Sequence, residues 1–160
     1  MLNFTGTVEE IIPKLFKLEH DQEYDFKIAK HSKKRSLNAN AYFHLLVNQL
    51  ARKMNISDDE MKVIMVLSYG TIARDSNGHP VGVKVPRGTD MTRFYPYAKK
   101  YAEEGNLDLY LFYERTHLLN QSEMAQLING VVQECRQLGI PTKEDLEINS
   151  LIDEWEKGMI

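Results

Sequence analysis

Apolar residues recur at helical spacing along much of the chain, and the clearest stretch predicts an amphipathic helix over residues 39–54. The side chains that share one face of this helix are Phe43, Leu46, Val47, Leu50 and Met54. A second helix is predicted to begin after Ser57, which has Glu60 three residues on, the spacing of a capping box, and to end at Gly70. The short connection between the two helices predicts that they pack as a hairpin.

The last third of the chain predicts two more helices. Asn120 or Ser122 is placed to cap a long helix whose apolar stripe runs to Leu138. Thr142 and Asp145 repeat the capping-box spacing and predict the start of a final, acidic helix. The C-terminal part of the fold is therefore predicted to consist of long helices.

Alternation of apolar and polar residues predicts strands near the beginning of the chain. Residues 2–5 alternate in this way, and so do residues 23–30. Between them, Thr7 is placed to cap a helix that runs to about Leu18. The chain is therefore predicted to open with a strand-helix-strand unit.

A small sheet is predicted in the middle of the chain. Val81, Val83 and Val85 are spaced by two, and residues 107–113 are strongly β-prone. Between these segments, residues 92–104 are compatible with a helix that Pro96 interrupts.

The order of these elements predicts an α+β fold with an N-terminal strand-helix-strand unit, a central helix pair, a small β-sheet and long C-terminal helices. One domain is predicted over residues 1–140, followed by an acidic C-terminal helical extension over residues 141–160. The single cysteine, Cys135, excludes an internal disulfide framework. No apolar run reaches the roughly 18 residues of a membrane span, so we expect a cytoplasmic protein without membrane association.

The net charge of −3 conceals a strong asymmetry along the chain. Residues 1–100 carry 16 basic and 11 acidic side chains, whereas residues 101–160 carry 4 basic and 12 acidic ones. Such asymmetry indicates a polyanionic partner for the basic part, or simply two faces that are solvated differently.

Catalytic motifs are scarce in this sequence. It has no phosphate-binding glycine loop, no nucleophile elbow and no local metal-binding pattern, so neither a metal nor a cofactor is expected. One fragment resembles a nuclease half-motif, because Asp25 and Lys27 lie on the same face of a predicted strand. A metal-dependent nuclease needs a second carboxylate, and a solvated strand edge accounts for the same residues.

A basic stretch between the second predicted strand and the next helix is more informative. Five of its nine residues, Lys27, Lys30, Lys33, Lys34 and Arg35, are lysine or arginine, and no acid interrupts them. Together with the amide groups of the helix N-terminus, they favour phosphate binding. A second segment, residues 93–100, mixes Arg93 with Tyr95 and Tyr97, a combination typical of grooves that hold single-stranded nucleic acid. The alternative for the basic stretch is a solvated loop.

The segment Arg35-Ser36-Leu37-Asn38-Ala39-Asn40 resembles the Arg-Ser-Leu-x-x-Asn motif of the NinB/Orf family of bacteriophage recombination proteins. The order of elements over roughly residues 1–140 is also similar to that family. The resemblance implies a homodimeric, non-enzymatic accessory protein that acts in the cytoplasm of a bacterial host. It implies binding to single-stranded DNA and to a single-strand-binding protein, and assistance in loading a recombinase.

The basic and aromatic segments and the resemblance together give a set of predicted DNA contacts. These residues are Lys27, Lys30, Lys33, Lys34, Arg35, Ser36, Asn40, Arg93, Tyr95, Tyr97 and Arg115. Two alternatives remain open at this point. One is a metal-dependent nuclease acting on branched or single-stranded DNA through Asp25 and Lys27, and the other is an adaptor whose acidic C-terminal helix docks a basic partner protein.

Overall fold

The computed structural model describes residues 2–29 and 38–157. Its contacts divide the chain into two compact units, Met1–Ser36 and Leu37–Ile160. Within the described residues, five helices and a small antiparallel sheet confirm the α+β fold class. Among the described helices, none is both long enough and apolar enough to cross a membrane.

In the first unit, residues 2–29 contain one helix, α1 (Val8–Leu15). Its capping box is complete, since Thr7 Oγ1 accepts from the Glu10 amide at 3.3 Å and Glu10 Oε2 accepts from the Thr7 amide at 2.8 Å. The predicted strands are not formed, because residues 2–5 and 23–29 have no regular secondary structure. A strand exists only with a hydrogen-bonded neighbour, and within the described residues neither segment has one.

The second unit contains four helices, α2 (Ala39–Met54), α3 (Asp58–Tyr69), α4 (Gln121–Gln137) and α5 (Asp145–Asp153). The predicted central helix pair is confirmed. Side chains cap three of these helices, with Asn38, Ser57 and Asn120 each accepting from the amide three residues on. The last helix begins two residues later than predicted, because its N-cap is Glu144 and not Thr142, and no side chain caps it. Instead, Thr142 Oγ1 accepts from Arg136 Nε at 3.1 Å.

The apolar faces of all four helices meet in one core. Its largest fully buried side chains include Tyr42, Phe43, Leu46, Leu50, Met124, Leu127, Ile128, Ile148 and Trp155. Gly130 of α4 lies against the ring of Tyr69, and a Cβ at this position would overlap that ring. The helices therefore approach closely where α3 ends.

The acidic C-terminal helix is part of this core. Ile148 and Ile152 of α5 are buried, and so is Trp155 just after it. Trp155 Nε1 donates to the Leu119 carbonyl at 2.8 Å, and the Lys143 amide donates to the Tyr42 hydroxyl at 2.9 Å. The structure through residue 157 is thus continuous with the packing of α2 and α4.

Three antiparallel strands form the sheet, β1 (Gly82–Pro86), β2 (Ala98–Glu104) and β3 (Leu107–Phe112), in the order β1-β3-β2. The helix considered for residues 92–104 is wrong. Only Met91–Arg93 form a short 3₁₀ helix, and β2 begins after Pro96. Gly105, with φ of 56°, allows the tight turn that pairs β2 with β3, and this pairing fixes β2 as a strand.

Candidate nucleic-acid interface

The predicted basic stretch falls largely on residues 30–37. Its Lys30, Lys33, Lys34, Arg35 and Ser36 therefore lie outside the described residues. Lys27, with Asp25 two residues before it, is exposed in the first unit.

Asn40 is not presented on the surface. Its side chain is only 5% exposed, and within the described residues its Oδ1 has no hydrogen-bond partner. The preceding cap residue, Asn38, performs the capping role by accepting from the Ala41 amide at 2.8 Å. Asn40 is therefore a buried residue of α2.

Two of the predicted aromatic contacts lie together with two cations on the second unit. The rings of Tyr95 and Tyr97 are 5.8 Å apart, at 83° to each other. The Arg115 guanidinium carbon lies 5.8 Å from the centre of the Tyr95 ring, and Lys62 Nζ lies 5.7 Å from the centre of the Tyr97 ring. We call these four residues the tyrosine cluster. Cations at this distance are attracted to the electron-rich faces of aromatic rings.

Residues at the end of β3 hold the two tyrosines of the cluster in place. Tyr95 follows the Met91–Arg93 turn, and its hydroxyl donates to the Tyr113 carbonyl at 2.6 Å. The Tyr113 amide in turn donates to the Tyr97 carbonyl at 2.8 Å. The ring of Tyr95 also meets the ring of Phe112 edge to face, with centroids 5.1 Å apart. Both tyrosines are therefore fixed by the end of β3.

The tyrosine cluster is cationic at neutral pH. Burial raises the pKa of Tyr95, and the Arg115 guanidinium only partly opposes this, so the phenol stays protonated and uncharged. Within the described residues, neither Arg115 nor Lys62 forms an ion pair with a carboxylate. Arg93 stands nearby in sequence with a side chain 83% exposed, and Asp90 Oδ2 is 3.8 Å from its Nε.

Three other cations in or beside the sheet, Lys84, Arg87 and Lys100, are paired with acids. Lys100 Nζ lies 2.6 Å from Glu103 and 3.5 Å from Asp108, and Arg87 lies 3.2 Å from Glu103. The Gly88 amide donates to Asp108 Oδ2 at 2.9 Å, and this bond, with the Lys100 charge, lowers the pKa of the Asp108 carboxyl. This network is a structural element of the sheet. The cations over the tyrosine rings take no part in this network.

Sequence reasoning missed Lys62 of the tyrosine cluster and two exposed aromatic residues in or beside residues 93–100. Lys62 belongs to α3, more than thirty positions before Tyr97, and only the tertiary fold brings them together. Phe94 is 76% exposed between Arg93 and Tyr95, and Tyr101 is 56% exposed on β2. Both aromatic residues lie in or beside residues 93–100, the mixed basic and aromatic segment. Their residue type and position could therefore have identified them from the sequence.

The nuclease alternative gains no support from the first unit. Within residues 2–29 and 38–157, no group of three or more histidine, cysteine, aspartate or glutamate side chains is arranged to hold a metal ion. Asp25 has no described carboxylate partner for that purpose.

Comparisons of the chain with protein-family models, with curated proteins and with solved structures find no match.

Proposed function

We propose that this protein binds single-stranded DNA through the tyrosine cluster and Arg93. The observation that carries the proposal is the placement of two cations, Arg115 and Lys62, over the faces of two neighbouring tyrosine rings, with no ion pair to a described carboxylate. Proteins that hold single strands without reading their sequence combine phosphate-neutralising cations with aromatic rings on which bases stack. The tyrosine cluster offers both kinds of group on one surface.

The roles of the individual residues follow from their exposure. Arg93 and Arg115 are exposed, so their guanidinium groups reach phosphates or stack on bases. Tyr95 and Tyr97 are half-buried and hydrogen-bonded into the fold, so they provide a fixed apolar base to the site. Phe94 is 76% exposed and is available to stack.

The wider role belongs to the same proposal. The similarity of residues 35–40 to the NinB/Orf motif supports a non-enzymatic accessory role in bacteriophage recombination, in the cytoplasm of a bacterial host. It also supports assembly as a homodimer, contact with a single-strand-binding protein and assistance in loading a recombinase.

The experiment is a binding titration with a fluorescein-labelled 30-nucleotide single strand, read by anisotropy over a series of salt concentrations. Replacing the two cations that lie over the rings, Lys62→Ala/Arg115→Ala, is expected to weaken binding. It is also expected to reduce the salt slope by about 0.7 for each phosphate of the single strand that is no longer neutralised.

The matched control removes two cations that already have carboxylate partners. Lys84 lies 3.2 Å from Glu104 and Lys143 lies 3.3 Å from Glu147. Lys84→Ala/Lys143→Ala makes the same change in net charge and is expected to preserve both affinity and salt slope. Equal losses in the two double variants would overturn the assignment of the tyrosine cluster, and absence of binding by the parent chain would overturn the function.

A further inference from the structure

The segment 23–29 presents an apolar face that nothing in the described structure covers. Tyr24, Phe26 and Ile28 are 42%, 62% and 96% exposed. The centroids of the Tyr24 and Phe26 rings lie 6.3 Å apart, so both rings are on one side of the backbone. Alternate residues of a strand are arranged in the same way. The same two rings line a cavity of about 470 Å³ with Ile12 and Phe16 of α1.

The backbone of this segment is equally unpaired. Within the described residues, no backbone hydrogen bond involves residues 23–29. None of residues 2–29 is buried. A segment with an apolar face, whose backbone groups pair with no described residue, is suited to pairing with another strand.

The charges of the segment identify the strand that fits. Asp25 and Lys27 flank Phe26 symmetrically, and the aromatic Tyr24 and aliphatic Ile28 flank them in turn. In an antiparallel pair of two identical segments centred on Phe26, each aspartate stands opposite a lysine, and each tyrosine stands opposite an isoleucine. Opposite charges and aromatic–aliphatic pairs are both favourable across antiparallel strands. A parallel, in-register pair would instead place aspartate opposite aspartate.

We propose that residues 23–29 pair antiparallel with the same segment of a second copy of this chain, about a twofold axis at Phe26, with Asp25 opposite Lys27 of the partner subunit. The paired strands then form a two-stranded ribbon whose apolar face lies on α1. This assigns the Asp25-x-Lys27 fragment to assembly and not to catalysis. The inference rests on the homodimer within the proposed function.

The test exchanges the charges at positions 25 and 27 and measures the molar mass of each variant. The measurement is size-exclusion chromatography with light scattering, in the absence of DNA. The parent chain is expected to have the mass of a dimer. Asp25→Lys and Lys27→Asp each place like charges opposite each other twice per dimer, so each is expected to weaken dimerisation about tenfold or more at low salt. Both side chains are exposed, and circular dichroism checks that the variants keep their helices.

Two rescue measurements separate the proposal from general damage to the surface. The double variant Asp25→Lys/Lys27→Asp exchanges the charges and is expected to dimerise like the parent chain. A mixture of the two single variants is expected to form a heterodimer, since each lysine then faces an aspartate. A monomeric parent chain, single variants that dimerise normally, or a double variant that stays monomeric would each overturn the proposal. Because no DNA is present, these outcomes are independent of the titration that tests DNA binding.

Discussion

Replacement of Trp155 by phenylalanine tests directly whether residues 141–157 are part of the hydrophobic core of the second unit. The indole is 1% exposed, and its Nε1 donates to the carbonyl of Leu119, which is also 1% exposed. Phenylalanine cannot donate this bond, so a buried carbonyl loses its partner, at about 1–3 kcal/mol. The smaller ring also buries less apolar surface, which adds about 1 kcal/mol.

The expected loss for Trp155→Phe is therefore about 2–4 kcal/mol in the free energy of unfolding, a large part of the roughly 5–15 kcal/mol of an ordinary domain. The assay is urea denaturation followed by circular dichroism at 222 nm, because Trp155 is the one tryptophan of the chain and fluorescence would be lost with it. Leu146→Ala is the control, since Leu146 is 79% exposed on α5, and a change within about 0.5 kcal/mol is expected. A loss for Trp155→Phe no larger than this control would refute the reasoning, because residues 141–157 would then not share the core.

Two other perturbations test the helical core. Gly130→Ala places a methyl group against the ring of Tyr69, so we expect the free energy of unfolding, measured by urea denaturation, to fall by about 1–3 kcal/mol. Ala125→Gly on the same helix is the control for helix propensity, with an expected loss of about 1 kcal/mol. Burial, and then repulsion by Lys62, lowers the pKa of His44 below its ordinary 6.5. The imidazole of His44 therefore binds a proton more readily in the unfolded chain than in the folded one. The contribution of neutral His44 to the free energy of unfolding is expected to be complete above about pH 6.5 and to be lost as the pH falls towards the lowered pKa. His44→Gln is expected to flatten this part of a curve of urea midpoint against pH, and an unchanged slope would contradict the assignment.

The helices of the second unit were largely predictable because their signals are local. The apolar stripe of residues 39–54 and the capping residues Ser57 and Asn120 are fixed by spacing along the chain, and the structure confirms them. The strands at residues 2–5 and 23–29 show the limit of such patterns. Alternation predicts that one face of a segment is apolar, but a strand also needs a neighbour, and the described chain supplies none.

Residues 98–104 were not predicted as a strand because their composition does not favour one. Alanine, lysine and glutamate make up most of Ala98–Glu104 and suit a helix. Pairing with β3 through the turn at Gly105 overrides that preference.

Part of the candidate site was accessible to sequence reasoning, and part was not. Tyr95, Tyr97 and Arg93 were identified by their types and proximity in the chain. Lys62 was not, because its position beside Tyr97 depends on how α3 packs. Asn40 was predicted as a DNA contact, and the structure shows that it is 5% exposed. A helical pattern alone does not determine which polar residue of a helix is buried.

None of residues 2–29 is buried, and this has a consequence for the strength of binding. The described core of the second unit draws on residues 39–155, so the tyrosine cluster is complete on each copy. The dimer proposed above, joined through residues 23–29, would carry two such clusters on one particle. A long strand bound at one cluster would then meet the other at an effective concentration that depends on the connection between them. Avidity for long strands over short ones would then arise in the N-terminal segment, although the cluster itself lies in the second unit.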